Sequence, residues 1–340
     1  MTNTVAVVGG GPAGTAAAFA LRDADAAVTL YEAESTLGGR MRTRRRGDCR
    51  YDAGANYVTA DDDRVNAAMA AAGTEGRADV AAPVWTFGAD GEVSPGRGDG
   101  DPKWTYAAGV AELPRRFAEE SGATLRCGRR VRALDRTDDE WTVHTADGDT
   151  AAFDAVVLAT PAPAVAALLR RSEWSAPLRD RIADTADAID YRLVVTAALH
   201  YPVRVERPYY ALLDVDKAHA VGWIGRESCK PGHVPTGESL LVVQMGNDWS
   251  AAHLDDDDEA IADAAASNAA SLMDDERLAD PDWTEVTRWR HALPEDEAPA
   301  DLVADARAAG LHLVGDWVAG AARVHAAART GLAAGRRLSP

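Results

Sequence analysis

The sequence predicts an α/β protein: a doubly wound parallel sheet made from discontinuous segments, with a β-rich α+β domain inserted into it. Three observations predict this. Strand, glycine turn, helix and strand follow one another between residues 4 and 32. The same α/β character returns near residue 311. Between about 172 and 281 the connections lengthen and the strands look antiparallel. A chain of 340 residues can hold two such domains, and an apolar fraction of 46% supplies a full core.

Residues 4–8 form an apolar run that ends in glycines, residues 13–22 have helical composition, and residues 27–31 form a second apolar run ending at Glu32. Residues 61–72 read as a helix with an acidic first turn. Residues 84–93 read as a hairpin about Gly88-Ala89-Asp90-Gly91, and residues 96–101 as a Gly/Asp-rich loop. A helix follows over 109–121, with Pro114 in its first turns where proline is tolerated, and then a strand over 124–127. Three β-prone runs, 131–136, 141–145 and 150–153, are separated by Thr137-Asp138-Asp139 and Asp147-Gly148-Asp149 and predict a meander. Residues 155–159 have the continuous apolar character of a fully buried strand. Strands are expected over 193–201, 220–224, 240–245 and 283–292, and a helix over 259–273. The chain closes with strand 311–314, a Gly-Asp turn and a helix from about 323 to 338. Segments 1–60, 105–171 and 282–340 are assigned to the doubly wound domain, and 61–104 and 172–281 to the inserted one.

The net charge of −18 comes from 36 basic and 54 acidic side chains, and Lys103, Lys217 and Lys230 are the only lysines. Such a surface repels nucleic acid and anionic membranes. Salt screening makes dense surface charge tolerable, so the balance is read as adaptation to a salt-rich cytoplasm. Codon drift accounts for scarce lysine but not for the net charge. The acidic run from Asp255 to Glu259 is read as a solvated helix start. No stretch reaches the roughly 20 apolar residues of a membrane span. The first strand starts too close to Met1 for a signal peptide. Three scattered cysteines, Cys49, Cys127 and Cys229, form neither a disulfide framework nor a metal cluster. Cys127 is read as inert core.

The turn from Gly9 to Gly14 satisfies GxGxxG. Its glycines permit a tight turn, backbone approach to a pyrophosphate, and close packing of helix on strand, with the helix N-terminus facing the phosphates. Glu32, at the end of the second strand, can accept from a ribose diol. NAD and FAD satisfy these features equally.

The residues that follow carry a resemblance. Gly38-Gly39-Arg40-Met41 resembles the GGR segment of the amine oxidase and flavin-oxidase superfamily, in which the arginine reaches the FAD pyrophosphate. Asp52-Ala53-Gly54-Ala55-Asn56-Tyr57 resembles its D-x-G-x-Q/N-Y segment beside the flavin ring. The segment from Gly315-Asp316 to Val324 resembles its second flavin motif, with the aspartate on the ribityl chain and a helix dipole aimed at the flavin O2 edge. Within the superfamily, the short length and Trp289-Arg290-His291 are most similar to renalase-type NAD(P)/FAD-dependent oxidoreductases. The resemblance implies a glutathione-reductase-type, Rossmann-like FAD domain. It implies cofactor contacts at Gly9, Gly11, Ala13, Gly14, Glu32, Gly39, Arg40, Met41, Asn56, Tyr57, Val131, Asp316 and Val324. His325, Ala326 and Ala327 depart from the Glu-Gly-Ala of many relatives. No cysteine lies near the terminal motif, so FAD is expected to be non-covalent.

The flavin then carries the chemistry, and catalytic side chains are left unassigned. Tyr57 and His291 are the substrate-pocket candidates, whereas Trp289 reads as core and Lys217 and Lys230 as surface lysines. The implied reaction is hydride transfer from a small-molecule substrate to flavin N5, with reoxidation by O2 to hydrogen peroxide. A dihydronicotinamide isomer is the expected substrate, with an amine or amino acid as the alternative. A lipid desaturase and a non-catalytic FAD-binding regulator remain as other classes. The sequence carries no motif for a particular substrate, electron acceptor or oligomeric state.

Overall fold

The valine-rich run near the N-terminus becomes the centre of a parallel sheet in the computed structural model, which describes residues 3–96, 102–137, 140–174 and 177–339. The five strands lie in the order Thr124–Cys127, Ala26–Glu32, Asn3–Val8, Ala155–Leu158 and Leu311–Leu313, all parallel. Ala155–Leu158 is buried along its whole length, as its unbroken apolar character requires. Helix Pro12–Ala20 packs against the C-terminal helix Val324–Leu338. Cβ atoms on Gly331 and Gly335 would overlap the Ala13 and Ala17 carbonyl oxygens, so the two helices can touch only through glycine. The meander forms as read, Val131–Arg136 pairing with Trp141–Thr145 and that with Thr150–Phe153. Of the loop at 96–101, residues 97–101 lie outside the described residues, as do Asp138 and Asp139.

A second, seven-stranded sheet has the order Trp283–Pro294, Tyr191–Tyr201, Ser239–Met245, Val221–Arg226, Ala211–Asp214, Val84–Phe87, Val93–Ser94. Its pairings are antiparallel except for Ala211–Asp214 beside Val84–Phe87. Helix Asp258–Leu272 covers one face with Ile261, Ala265, Ala266, Ala269 and Leu272, a 3.6-residue stripe. Burying each large aliphatic side chain there contributes about 1.5–3 kcal/mol. The acidic run does start this helix: the Asp257 side chain caps the Ala260 N–H at 2.8 Å.

Several expectations need correction. Trp283–Pro294, grouped by sequence with the doubly wound segments, is an edge strand of the seven-stranded sheet, because its partner Tyr191–Tyr201 lies some 90 residues earlier in the chain. Cys127 is exposed, since Thr124–Cys127 is the outer strand of its sheet. Thr43–Arg46 pairs with Cys49–Asp52 as a hairpin, Arg44 meets Glu285 at 2.6 Å, and Arg46 donates to the Thr284 carbonyl at 2.9 Å. Helix Pro177–Asp187 and strand Ala211–Asp214 were not anticipated.

Candidate active site

Three glycines with different tasks build the turn after Asn3–Val8. Gly9 holds φ 110°, which glycine adopts without strain. Gly11 caps helix Pro12–Ala20, and Pro12 takes the position where a missing N–H costs nothing. A Cβ on Gly14 would overlap the Gly9 carbonyl oxygen, so the helix reaches the strand only because Gly14 has none. The Glu32 carboxylate accepts from the Gly10 N–H at 2.7 Å and the Glu34 N–H at 2.8 Å. Its carbonyl accepts from the Arg129 N–H at 2.8 Å, which brings the corner before Val131 to the same edge.

The Gly38-Gly39-Arg40-Met41 loop docks onto this turn. Gly38 donates to the Gly10 carbonyl at 2.9 Å, and Gly39, at φ 53°, stands over Gly11. Met41 is fully buried and anchors the loop. Arg40 joins remote segments: its guanidinium lies 2.7 Å from Asp316 Oδ1 and donates to the Ala292 carbonyl at 2.9 Å. Asp316 opens the short helix Asp316–Ala319 and is 5% exposed. Val324 is the first residue of Val324–Leu338, where Arg323 provides no side-chain cap. The leading amides of that helix, like those of Pro12–Ala20, therefore have no side chain answering them.

Asp52 to Tyr57 runs beside Arg40. Ala55 donates to the Arg40 carbonyl at 2.9 Å, and a Cβ on Gly54 would overlap that oxygen. Trp289, read as core, instead lies on this segment and donates its indole N–H to the Ala53 carbonyl at 2.9 Å. Gln244 donates to the Gly54 carbonyl at 2.7 Å and faces the Asn56 amide at 3.5 Å. Asn56 Oδ1, Trp223 Nε1 and the Tyr210 hydroxyl are buried without hydrogen-bond partners. The rings of Tyr57, Tyr210 and Trp223 sit 5.9–6.2 Å apart as an aromatic wall. His291 is exposed at the edge of the Tyr191 ring, 5.5 Å away, and partial burial with the Arg40 and Arg290 charges holds it below the usual histidine range. His325 faces Thr59 Oγ1 at 2.9 Å, and burial lowers it as well.

Lys217 is exposed in a turn, as expected, but Lys230 is not a surface residue. Lys230, Asp52, Glu227 and His233 all have side chains with 0% exposure. Lys230 Nζ lies 2.8 Å from Asp52 Oδ2 and 2.7 Å from Glu227 Oε1. His233 places Nδ1 2.7 Å from Glu227 Oε2 and Nε2 3.1 Å from the Tyr106 carbonyl oxygen. Both ring nitrogens therefore face acceptors. Glu227 also accepts from the Asp52 N–H at 3.1 Å, and Asp52 Oδ1 accepts from Val110 N–H at 3.0 Å and Thr43 at 2.7 Å. Burial alone would lower Lys230 and raise Glu227. Their mutual attraction, with Asp52 and His233, outweighs it and moves both in the opposite sense. The ammonium also sits 5.9 Å from the Tyr210 ring centroid, behind the aromatic wall.

Residues 7–72 match the model of an NAD(P)-binding Rossmann-like domain, and residues 85–339 match that of the flavin containing amine oxidoreductases. The chain belongs to the flavin-containing amine oxidoreductase family. It is 24% identical over 243 residues to protoporphyrinogen oxidase 1 of the spinach (Spinacia oleracea) chloroplast, a match covering 64% of this chain and 42% of that protein. Among solved structures, a protein of Exiguobacterium sp. 255-15 assigned provisionally as a protoporphyrinogen oxidase superposes with a TM-score of 0.81 at 15% identity, covering 100% of this chain and 99% of the other. Putrescine oxidase bound to putrescine gives 0.78 at 15% identity, with 99% of each chain covered. Cyclohexylamine oxidase of Brevibacterium oxydans IH-35A gives 0.78 at 15%, covering 100% and 99%. Likeness at such identity is a likeness of fold.

Membership makes the chain an FAD-dependent oxidoreductase by class. The residues present fit that cofactor: a glycine cradle without Cβ atoms, two helix starts without side-chain caps, and a buried Asn56 oxygen without a partner. Among the described residues no helix is long and apolar enough to cross a membrane.

Proposed function

We propose that the chain oxidises a small amine, with non-covalent FAD as its working group. The observation that carries this reading is the aromatic wall of Tyr57, Tyr210 and Trp223 beside the Asn56 and Gln244 amides. The carboxylates behind it, Asp52 and Glu227, are already engaged by the Lys230 ammonium and the His233 ring. An amine entering such a wall meets rings and amides rather than a counter-ion. Desolvation there disfavours the ammonium and releases its proton to solvent, leaving the neutral amine that can give up hydride. FAD held there would supply the hydride acceptor, the amine leaving as its iminium, and O2 would take up the electrons as hydrogen peroxide.

The remaining residues bind and orient. Gly9, Gly11, Ala13 and Gly14 would present backbone and helix start to the diphosphate, with Arg40 and Gly39 closing over it. Glu32 would take the ribose, the corner at Val131 the adenine side, Asp316 the ribityl chain, and Val324 with Asn56, Tyr57 and Met41 the ring end. The acidic balance supports a salt-rich cytoplasm as the setting.

A second reading, a renalase-like oxidation of a dihydronicotinamide isomer, is favoured by one observation. Asn56 Oδ1 and Trp223 Nε1 are a buried acceptor and a buried donor without partners, the pair that a carboxamide would satisfy. Anaerobic mixing separates the readings. Bleaching of the visible flavin band by primary amines and not by dihydronicotinamide isomers supports the first, and the reverse pattern the second. A flavin that neither class reduces would refute both and favour a non-catalytic FAD-binding role.

A further inference from the structure

A second polar cluster lies on the other side of the hairpin that carries Asp52. Cys49, on strand Cys49–Asp52, is 3% exposed, and His200, on strand Tyr191–Tyr201, is 6% exposed. Glu238 leads into strand Ser239–Met245. The Cys49 sulfur, a His200 ring nitrogen and a Glu238 carboxylate oxygen all lie within 4.8 Å of one another. We propose that these three side chains form a binding site for a divalent cation of borderline softness, of which zinc is the representative.

Thiolate, imidazole and carboxylate are the three donor types that zinc takes, and three protein donors plus one water complete a tetrahedron. Glu238 is 37% exposed, which leaves that fourth position open to solvent. The surroundings of His200 point to a cation as well. Its Nε2 faces Glu238 at 2.9 Å while its Nδ1 faces Asp282 Oδ2 at 3.2 Å. A metal-bound histidine holds its other ring nitrogen on a carboxylate in just this way, which fixes tautomer and ring plane. Trp283 stacks on the imidazole at 5.0 Å and 7° and holds the plane further. Charge acts in the same direction: two carboxylates, Glu238 and Asp282, converge on the one imidazole and make the place attractive to a cation. The Asp52–Glu227–His233 cluster makes the contrast, because the Lys230 ammonium already fills that role there.

Binding is balanced as exchange of a proton for the ion. The Cys49 thiol releases its proton to solvent as the sulfur–metal bond forms, and no electron moves. The bound ion would staple the hairpin Thr43–Arg46/Cys49–Asp52, three residues before Asp52, to the seven-stranded sheet.

The test uses the FAD-loaded full chain, stripped with a chelator, desalted and titrated with cobalt(II) chloride. The expected result is a thiolate-to-cobalt charge-transfer band in difference spectra that saturates at one equivalent and is reversed by zinc. Cys49→Ser abolishes the band, Cys127→Ser keeps it, and Asp282→Asn weakens binding about 10- to 100-fold. If Cys49→Ser fails to fold, the more exposed Glu238→Gln serves, with at least a tenfold loss of affinity expected. No band in the wild type, a band that survives Cys49→Ser, or unchanged affinity in Glu238→Gln overturns the proposal.

Discussion

Replacing Lys230 by methionine tests the buried quartet most directly. The change keeps the length of the side chain and removes an ammonium that lies 2.8 Å from Asp52 and 2.7 Å from Glu227, all with 0% exposure. Removing one partner from a buried ion cluster costs about 3–5 kcal/mol, because the opposite charge is left without compensation. Two carboxylates share the loss here, while His233 still answers one of them, so the middle of that range is expected. At roughly 2 °C per kcal/mol for a chain of this size, Tm should fall by about 8 °C. The sign of the pH dependence gives a second check. Without Lys230 the carboxylates favour protonation in the folded state, so the gap from wild type should narrow as pH falls from 7 toward 5. Adding Glu227→Gln to Lys230→Met should recover part of the loss, since it removes one stranded charge. Thermal and urea unfolding of the FAD-loaded protein read all three quantities. A Lys230→Met variant within about 1 kcal/mol of wild type and flat with pH would refute the argument, because such a value is typical of an exposed pair.

Other outcomes follow from the same geometry. Gly14→Val should abolish FAD binding or folding, read by flavin retention through gel filtration, because even its Cβ overlaps the Gly9 carbonyl oxygen. Arg40→Met loses its bonds to Asp316 and the Ala292 carbonyl, and its FAD dissociation constant should rise at least tenfold, or about 1.4 kcal/mol, in a fluorescence titration. Wild-type stability should fall on both sides of neutrality. Glu227 is held below its unfolded value, so its contribution is present above about pH 4.5 and is lost as pH falls through the folded value. Lys230 is held above its unfolded value, so its contribution is present below about pH 10.5 and is lost as pH rises through the folded value. Urea midpoints that change as steeply between pH 6 and 9 as outside that window would contradict this assignment.

What the sequence made legible was local. The βαβ unit, the meander and the terminal Gly-Asp-helix each declare themselves within about 30 residues through turn chemistry and hydrophobic period. The structure brings Arg40, Gly54 and Asp316 together, as three separate motifs had suggested. Strand Trp283–Pro294 was recognised as a strand but given the wrong sheet, because pairing partners are set by tertiary contacts that no local pattern records. Ala211–Asp214 is only 4 residues long, too short to show a period. Gln244, Tyr210, Trp223 and three of the buried quartet, Glu227, Lys230 and His233, come from strands and turns with no motif of their own. One signal was available. In a chain that otherwise uses arginine for positive charge, Lys103 and Lys230 are two of three lysines, and both are buried. A compact ammonium fits a closed site where a wide guanidinium does not. The Glu227–Lys230 spacing of 3 residues pointed to the same pair.

The glycine contact between helices Pro12–Ala20 and Val324–Leu338 has a consequence for the order of events during synthesis. Helix Pro12–Ala20 is completed by a segment made some 300 residues later. Until then, the apolar face of Pro12–Ala20 and the edge of Ala155–Leu158 that receives Leu311–Leu313 have no cover. The nucleotide pocket cannot mature before residues 311–338 have been made, and cofactor capture waits for them. Nascent chains stalled before residue 311 should accordingly remain protease-sensitive in their first 30 residues, whatever the FAD concentration.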